Sequence, residues 1–359
     1  MNPQLGQLII TGIEGKSLNK DESHFIQKNK IGGIILFERN YESPAQLAEL
    51  VNNIQKLRDE YPLFICVDQE GGRVQRFGHP FYQLPPAKEL AVLNSPKRVF
   101  SAFDYLAKQL SACGVNVNLA PVCDVLTNDK NSVIGDRAFS NNVAGSSKMV
   151  SSVIRGLKTN NVLSCAKHFP GHGDTSKDSH FDLPIVKTSL EQLREREFSP
   201  FVKAIKSKVD FIMMAHLIVD AIDDKLPCSL SKKAYDLLRS ELKYSRLIIT
   251  DDMQMKAISD RWSCEEAAFM AIEAGADMIE YRDLEFASKA LSALKDAKKT
   301  KLLQNKLIED RYGRIMRAKQ ENFKEYSPIY IPDIESSFSD KEAGDFFNSL
   351  REEIDHKAL

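Results

Sequence analysis

The stretch LIITDD, residues 247–252, is a short apolar run that ends in two carboxylates. It is apolar up to those carboxylates and does not alternate with polar residues, which is typical of a strand in a parallel sheet covered on both faces. Seven further runs rich in Ile, Val and Leu occur along the chain, at 7–12, 33–37, 63–67, 115–119, 162–166, 211–215 and 277–280. The sequence therefore predicts eight strands of a parallel sheet.

Each apolar run is followed by a longer segment whose apolar residues recur three and four positions apart, the spacing of an amphipathic helix. Examples are 43–58, 96–113, 142–158, 189–206, 263–274 and 284–297, and a last helix is expected at 303–320. Eight strand-then-helix units in about 320 residues predict a (β/α)8 TIM-like barrel, with an open doubly wound sheet as the alternative. We assign residues 1–320 to one barrel domain. The tail, 321–359, lacks clear periodicity, so we expect it to pack on the barrel or to be partly disordered.

The composition excludes several classes of protein. Of the 359 residues, 43% are hydrophobic and 28% are charged, which is typical of a folded globular chain. The 49 Lys and Arg residues are balanced by 50 Asp and Glu residues, so no bulk positive field is available to hold nucleic acid or anionic lipid. Residues 1–15 lack the pattern of a secretory signal, and the six cysteines occur singly. We expect a cytoplasmic protein with reduced thiols and no nucleic-acid or membrane partner.

Ionisable residues cluster at the carboxyl ends of the predicted strands. The residues that lie at or beyond these ends are Asp68, Asp124, Lys167, His168, His216, Asp251 and Asp252. In a (β/α)8 barrel the loops at these ends build the active site, whereas a random chain would place ionisable residues at both ends equally. The sequence therefore predicts an active site at this face of the barrel.

The densest group of polar residues is the segment 167–180, KHFPGHGDTSKDSH. One proline and two glycines exclude a helix, so the segment is a shaped loop. Asp178 and His180 are two positions apart, and in an extended stretch such side chains project to the same side. A carboxylate that contacts the ring fixes its tautomer and makes the histidine a general acid and base near neutral pH. The alternative is a loop histidine beside an aspartate turn, without a catalytic role.

Asp251 is a candidate nucleophile, because burying a carboxylate at the end of an apolar strand is costly unless the group is paired or used. Adjacent strand residues face opposite ways, so we expect only one of Asp251 and Asp252 to reach a substrate. The alternative is an aspartate that only caps the following helix. The segment 68–76, DQEGGRVQR, supplies carboxylate and guanidinium groups that suit sugar hydroxyls, although its arginines, like Arg137, could equally form surface ion pairs.

The segment 167–175, together with Asp178-Ser179-His180, resembles the signature of the bacterial β-N-acetylglucosaminidases of glycoside hydrolase family three, the cell-wall recycling type. Supporting stretches are 32–37 with Arg39-Asn40, 68–74, 118–122 with Asp124-Val125, and Thr250-Asp251 with Met255. The sequence departs from the family's pattern at 279–283, IEYRD, which is more charged than expected there, and at Cys228. We expect these departures to affect fine substrate preference and not the reaction.

The resemblance implies a retaining exo-glycosidase on a single barrel, a β-N-acetylhexosaminidase. Asp251 would be the nucleophile that forms a covalent glycosyl-enzyme, and His180, oriented by Asp178, would protonate the leaving oxygen and later activate water. The residues implied to hold the N-acetylglucosamine ring are Asp68, Arg76, Arg137, Lys167 and His168. The implied substrates are cytosolic muropeptide fragments in which N-acetylglucosamine is joined to anhydro-N-acetylmuramic acid. We expect a monomer with no cofactor and no metal.

Other functions are compatible with these residues. An imidazole acid repels phosphate less than a carboxylate would, so an N-acetylglucosaminide phosphorylase is one alternative. The loop histidines and aspartates would suit a metal-dependent barrel hydrolase, although the chain has no His-x-His at a strand end and Lys167 would repel a metal. Substrate assistance through the acetamido oxygen would use a neighbouring acidic pair, which the opposite facing of Asp251 and Asp252 disfavours. A non-catalytic sugar-binding barrel would have no use for an acid and a nucleophile together.

Overall fold

The computed structural model describes residues 4–175, 183–323 and 325–358. In this part of the chain eight parallel strands close into a barrel, and each strand pairs with the strands before and after it in sequence. The strands are β1 (Ile9–Thr11), β2 (Gly33–Leu36), β3 (Phe64–Val67), β4 (Val117–Asn118), β5 (Leu163–Phe169), β6 (Phe211–Met214), β7 (Leu247–Asp252) and β8 (Met278–Tyr281). The predicted (β/α)8 TIM-like barrel is confirmed, and the open sheet is excluded because β1 pairs with both β2 and β8.

The strands are apolar because both of their faces are covered. Every residue of β2, β3 and β6 is buried, with one face toward the barrel interior and the other toward the surrounding helices. The first predicted strand is shorter than expected, since Leu5–Leu8 forms a 3-10 turn before β1 begins. The fifth is longer, because β5 continues through Lys167 and His168 to Phe169. This extension places two predicted site residues on the strand itself.

The helices surround the barrel. In the described residues they are α1 (Lys20–Asn29), α2 (Pro44–Gln55), α3 (Ala87–Val92), α4 (Pro96–Ala112), α5 (Val143–Thr159), α6 (Leu190–Glu195), α7 (Phe198–Lys206), α8 (Lys232–Asp236), α9 (Lys256–Ser259), α10 (Cys264–Ala274), α11 (Leu284–Lys299), α12 (Asn305–Asn322) and α13 (Lys341–Ala358). Side-chain caps set several starts. Ser43 and Ser95 each accept from a backbone N–H of the first turn and precede a proline, and Ser263 forms a capping box with Glu266. None of these helices is long and apolar enough to cross a bilayer.

The segment 189–206, predicted as one helix, is two helices, α6 and α7, with a break at Arg196 and Glu197. Pro200 explains the break. A proline inside a helix lacks the N–H that would bond to the carbonyl four residues earlier, here Arg196, and its ring clashes with that carbonyl. In the first turn of a new helix the same proline is tolerated, so α7 begins just before it.

The tail contains a helix that the sequence analysis did not predict. In α13 the buried residues Ala343, Phe347, Leu350 and Ile354 recur at helical spacing within an otherwise charged segment. The ring of Phe347 stacks on Tyr82 with centroids 4.4 Å apart. Arg98, at the start of α4, pairs with Glu353. These contacts attach α13 to the outside of the barrel, and its residues Arg351, Ile354 and Asp355 lie beside Gly72 and Gln75 of the loop that follows β3.

Candidate active site

The carboxyl ends of the strands surround a cavity of about 320 Å³. This volume is at the lower end of the range for small-molecule pockets, about 300–1,000 Å³. The cavity is lined by six of the residues that the sequence analysis selected, namely Asp68, Arg76, Arg137, Lys167, His168 and Asp251. The other two selected residues, Asp178 and His180, lie outside the described residues. The fold therefore brings together side chains that are up to 183 positions apart in the chain (251 minus 68).

Asp68 directly follows β3, and its carboxylate bridges two cations. Lys167 Nζ, from β5, lies 2.6 Å from Asp68 Oδ1, and Arg76 Nη2 lies 3.3 Å from Asp68 Oδ2. Burial alone would raise the pKa of Asp68, but the positive charges of Lys167 and Arg76 outweigh this effect and hold the pKa below its usual value. Asp68 is therefore ionised in the cavity wall, and its orientation is set from two sides.

Glu70 pairs with Arg137 in the same wall. Arg137 Nε and Nη2 each lie 2.8 Å from one oxygen of Glu70, a bidentate contact. Lys167 Nζ also lies 2.6 Å from Glu70 Oε1, so the lysine bridges Asp68 and Glu70. Burial would raise the pKa of Glu70, but Arg137 and Lys167 lower it far below its usual value. Removing one partner from a buried pair of this kind typically costs about 3–5 kcal/mol, so the pair also holds the loops together.

The charges of the cavity cancel. Asp68, Glu70 and Asp251 carry three negative charges, and the three cations that face them are Arg76, Arg137 and Lys167. At the rim, the more exposed Arg73 pairs with Asp136 at 3.0 Å, which is the surface ion pair considered as an alternative for the arginines. A cavity with balanced charge and many hydrogen-bonding groups suits an uncharged ligand rich in hydroxyl groups better than a free ion.

His168 is oriented by Asp124, a fully buried residue beyond β4. The ring Nδ1 of His168 lies 2.7 Å from Asp124 Oδ2, and the backbone N–H of His172 donates to Asp124 Oδ1 at 2.7 Å. Burial would raise the pKa of Asp124, but the neighbouring His168 lowers it. The ionised carboxylate therefore accepts a hydrogen bond from Nδ1–H of the ring. Nε2 lies 3.5 Å from Arg137 Nη2.

Asp251 is the residue before the last in β7, and its side chain lines the cavity. Its Oδ1 accepts from the backbone N–H of Asp252 at 2.8 Å. Burial would raise the pKa of Asp251, but the neighbouring His168 and His216 lower it, so the group is ionised. The alternative that this aspartate caps the following helix is wrong, because α9 begins at Lys256 with Met255 at its N-cap.

Asp252 faces away from the cavity, as the alternation of side chains along a strand predicts. Its Oδ2 lies 2.6 Å from Arg282 Nε, and its Oδ1 accepts from the backbone N–H of Gln254 at 3.0 Å. Burial raises its pKa to about 6, against the effect of Arg282. The backbone carbonyl of Asp252 lies 3.0 Å from His216 Nε2, and His216 Nδ1 lies 2.7 Å from Ser229 Oγ. His216 therefore links the backbone at the end of β7 to Ser229.

Sequence reasoning assigned no individual role to three carboxylates that the structure places in or beside the cavity, namely Glu70, Asp124 and Glu280. The position of each in the sequence indicated the active-site face, because each lies at or beyond the carboxyl end of a strand. The spacing of residues along the sequence could not predict which side chains they pair with. Glu70 pairs with a residue 67 positions away, and Asp124 with one 44 positions away.

The described residues contain no group of three or more His, Cys, Asp or Glu side chains arranged to hold a metal ion. The carboxylates Asp68 and Glu70 contact lysine and arginine instead. The six cysteines, which all lie in the described ranges, are free thiols, and five of them are buried. The metal-dependent alternative therefore gains no support from this part of the chain.

The residues on either side of 176–182 are joined to each other. Asp174 Oδ2 accepts from Thr188 Oγ1 at 2.7 Å and from Arg196 Nη2 at 3.0 Å. Asp174 Oδ1 accepts from Thr127 Oγ1 at 3.0 Å, which connects this point to the loop after β4. The described ends of the loop that carries the predicted acid are thus fixed to the barrel.

Comparisons with known proteins give one family. Residues 1–318 match the model of the glycosyl hydrolase family 3 N-terminal domain. A β-hexosaminidase from Nitrosomonas eutropha is 38% identical over 281 residues, which is 77% of this chain and 80% of that protein. A β-hexosaminidase from Photobacterium profundum is 38% identical over 277 residues, 77% of this chain and 81% of that protein.

A similar structure carries the same family name. A glycoside hydrolase family 3 β-N-acetylglucosaminidase from Paenibacillus sp. superposes with a TM-score of 0.91 at 32% identity. The alignment covers 98% of this chain and 68% of that chain. The likeness therefore extends over the whole barrel and the polar ends of its strands.

Proposed function

The chain belongs to glycosyl hydrolase family 3 and is a β-N-acetylhexosaminidase, and from this we propose that it is a retaining exo-glycosidase that acts through a covalent intermediate on Asp251. Its proposed substrates are peptidoglycan fragments in which a terminal β-linked N-acetylglucosamine is joined to anhydro-N-acetylmuramic acid. The observation that carries the proposal is the ionised, partly buried carboxylate of Asp251 in a small cavity of balanced charge.

Asp251 is proposed as the nucleophile. One of its carboxylate oxygens attacks the anomeric carbon, the bond between that carbon and the leaving oxygen breaks, and the leaving oxygen takes up a proton. The low pKa of Asp251, maintained by His168 and His216 against burial, keeps the attacking group ionised. Asp252 is engaged with Arg282 and cannot form an acidic pair with Asp251 in the cavity, which supports a covalent route over substrate assistance.

His180 is proposed as the acid that protonates the leaving oxygen and as the base that later activates water, with Asp178 orienting its ring. Both residues lie outside the described residues, so the proposal rests on the sequence pattern. His168, which lines the cavity, is a poor candidate for the same role. Its Nδ1 proton points to Asp124, and its Nε2 faces the permanently charged Arg137.

The sugar is proposed to bind through Asp68, Arg76, Arg137, Lys167 and His168. Lys167 has three N–H donors and uses two of them on Asp68 and Glu70, so one donor is left for a hydroxyl group. Each oxygen of Asp68 contacts one cation and retains a lone pair that can accept from a hydroxyl. These groups are held rigidly by their mutual contacts, which suits positioning and not reaction.

The test is hydrolysis of the disaccharide of N-acetylglucosamine and anhydro-N-acetylmuramic acid, and of an aryl N-acetyl-β-glucosaminide, by the full chain. We expect release of N-acetylglucosamine with its β configuration retained, as followed by NMR. Inversion of configuration would contradict the covalent mechanism, and cleavage of the aryl glycoside without the disaccharide would contradict the proposed substrate.

A second arm adds inorganic phosphate to the same reaction. We expect free N-acetylglucosamine at every phosphate concentration, because the cations of the cavity are already paired with carboxylates. Formation of N-acetylglucosamine 1-phosphate would favour the phosphorylase alternative.

A further inference from the structure

Glu280 lines the same cavity as Asp251, and none of the roles proposed above uses it. It lies in β8, where the register places it opposite Ile10 of β1 and Asp252 of β7. Only 4% of the residue is exposed. A glutamate at this depth in a barrel strand is unusual, because charged residues are rarely fully buried unless they are paired.

The backbone of Glu280 is satisfied, whereas its carboxyl group is not. The Glu280 N–H lies 3.2 Å from Thr250 Oγ1, and its carbonyl accepts from the N–H of Met253 at 3.0 Å. The carboxyl oxygen Oε2 is buried and has no hydrogen-bond partner among the described residues. Leaving a buried polar atom without a partner is costly, and native proteins seldom do so. The side chain also borders the cavity, where a ligand can form a hydrogen bond with the carboxyl group.

The surroundings of Glu280 oppose a negative charge. Burial is the largest effect that raises its pKa well above the usual value, and the carboxylates Asp68, Asp252 and Asp251 add to it. Lys167 acts in the opposite direction, but it already contacts Asp68 and Glu70. Burial and the three neighbouring carboxylates therefore favour the neutral form of Glu280, which has one O–H donor and an acceptor oxygen.

The cavity does not need a charge from Glu280. Its three carboxylates are balanced by Arg76, Arg137 and Lys167 without it. A neutral acid can donate a hydrogen bond to a hydroxyl oxygen, which the ionised carboxylates cannot do. The ligand group that complements Glu280 is therefore an uncharged hydrogen-bonding group such as a hydroxyl, and not a cation.

We propose that Glu280 is a specificity-determining residue that exchanges hydrogen bonds with one hydroxyl group of the terminal sugar. The inference rests on the proposed function for the identity of that sugar. A site that hydrogen-bonds a hydroxyl with a buried polar group discriminates strongly against an analogue that lacks it, because the group is then left unpaired. Glu280 accordingly selects for the hydroxyl that faces it.

The test is calorimetric binding of N-acetylglucosamine and its 3-deoxy, 4-deoxy and 6-deoxy analogues to the full chain and to Glu280→Leu and Glu280→Gln. We expect Glu280→Leu to raise the Kd for N-acetylglucosamine about tenfold. Glu280→Gln should raise it less, because the amide is neutral and still donates. One deoxy analogue should bind the unchanged chain about as weakly as it binds Glu280→Leu. The matched control is Glu273→Leu on the exposed side of α10, with thermal unfolding of every variant as a check of folding.

Equal Kd values for the unchanged chain and Glu280→Leu would overturn the inference. A loss of the same size for all four sugars would also overturn it, since that result indicates a structural role. The measurement does not require turnover, so it separates the two proposals. Hydroxyl-specific binding without hydrolysis of any N-acetylglucosaminide would overturn the proposed function alone, and hydrolysis that is indifferent to Glu280 would overturn this inference alone. No binding of any of the four sugars by the unchanged chain would overturn this inference, whereas the proposed function is judged by the hydrolysis assay.

Discussion

His168 Nδ1 lies 2.7 Å from Oδ2 of Asp124, a contact that fixes the ring against the cavity wall. The second oxygen of the same carboxylate accepts from the backbone N–H of His168 at 3.3 Å and of His172 at 2.7 Å. One buried aspartate thus orients both the ring and the strand end that carries it. Asp124 acts through His168 and is a positioning residue.

Asp124→Asn tests this arrangement. The amide keeps the shape of the carboxylate but removes its charge and turns one acceptor into a donor, so the ring can no longer be held in the same tautomer. We expect kcat/KM for an aryl N-acetylglucosaminide to fall by about 10- to 100-fold, because small displacements of positioning groups have effects of that size. Asp129→Asn, at an exposed position of the same loop, is the control. An unchanged pH profile and rate in Asp124→Asn would show that His168 does not need this partner.

The two carboxylates that end β7 allow a paired test. Asp251→Ala should reduce kcat by at least about 1,000-fold, since the nucleophile is lost, whereas Asp252→Ala should have a much smaller effect. A slow fluorinated substrate should add one sugar mass to the unchanged chain, and fragmentation should place it on Asp251. Modification of Asp252, or an unaffected rate in Asp251→Ala, would contradict the assignment.

His180→Ala should affect poor leaving groups more than good ones. Loss of a general acid lowers the rate by about 10²- to 10⁴-fold when the leaving oxygen needs a proton, and by little when it does not. The measurement is kcat/KM across aryl glycosides of graded phenol acidity and the natural disaccharide, with His24→Ala, on the exposed side of α1, as the control. Equal losses on all of these substrates would indicate that His180 has a structural role.

Lys319 predicts a pH dependence of stability. Its buried Nζ donates to Gln7 Oε1 at 2.8 Å and to Gly32 O at 2.9 Å, and burial lowers its pKa to about 7 from 10.5. Between these two values the unfolded chain binds the proton and the folded chain does not, so this group makes the free energy of unfolding rise with pH, by up to about 1.4 kcal/mol per pH unit. Below pH 7 and above pH 10.5 the folded and unfolded chains bind the same number of protons at Lys319, so the group does not change the free energy of unfolding with pH.

Urea unfolding at several pH values between 7 and 9.5 measures that slope. We expect it to be smaller in Lys319→Met than in the unchanged chain, because the methionine has no proton to bind. Lys306→Met, on the exposed side of α12, should keep the original slope. The same slope in all three proteins would show that Lys319 is charged in the folded state.

The sequence was sufficient to predict the barrel, the family and the face that carries the polar residues. Uninterrupted apolar runs identify buried parallel strands, and the resemblance at 167–180 identified the family that the comparisons confirm. The break between α6 and α7 was overlooked because the apolar spacing continues across Pro200. The helix α13 was missed because its few apolar residues are diluted by charge.

The partners of the site residues could not be predicted in the same way. Asp68 with Lys167, Glu70 with Arg137 and Asp124 with His168 join residues from different strand ends, and only the closed barrel brings them together. The expectation that only one aspartate of β7 reaches the cavity depends only on the alternation of side chains along a strand. The structure agrees with it, since Asp251 lines the cavity and Asp252 pairs with Arg282. The roles of Asp178 and His180 stay predictions.

The cancellation of charge in the cavity has a consequence for kinetics. A binding site without net charge, on a chain with a formal charge of -1, does not accelerate the encounter with an anionic ligand by long-range attraction. Capture of the sugar should therefore proceed at a rate that changes little with ionic strength. An acidic peptide attached to the sugar would therefore not raise the rate at which the ligand associates with this site.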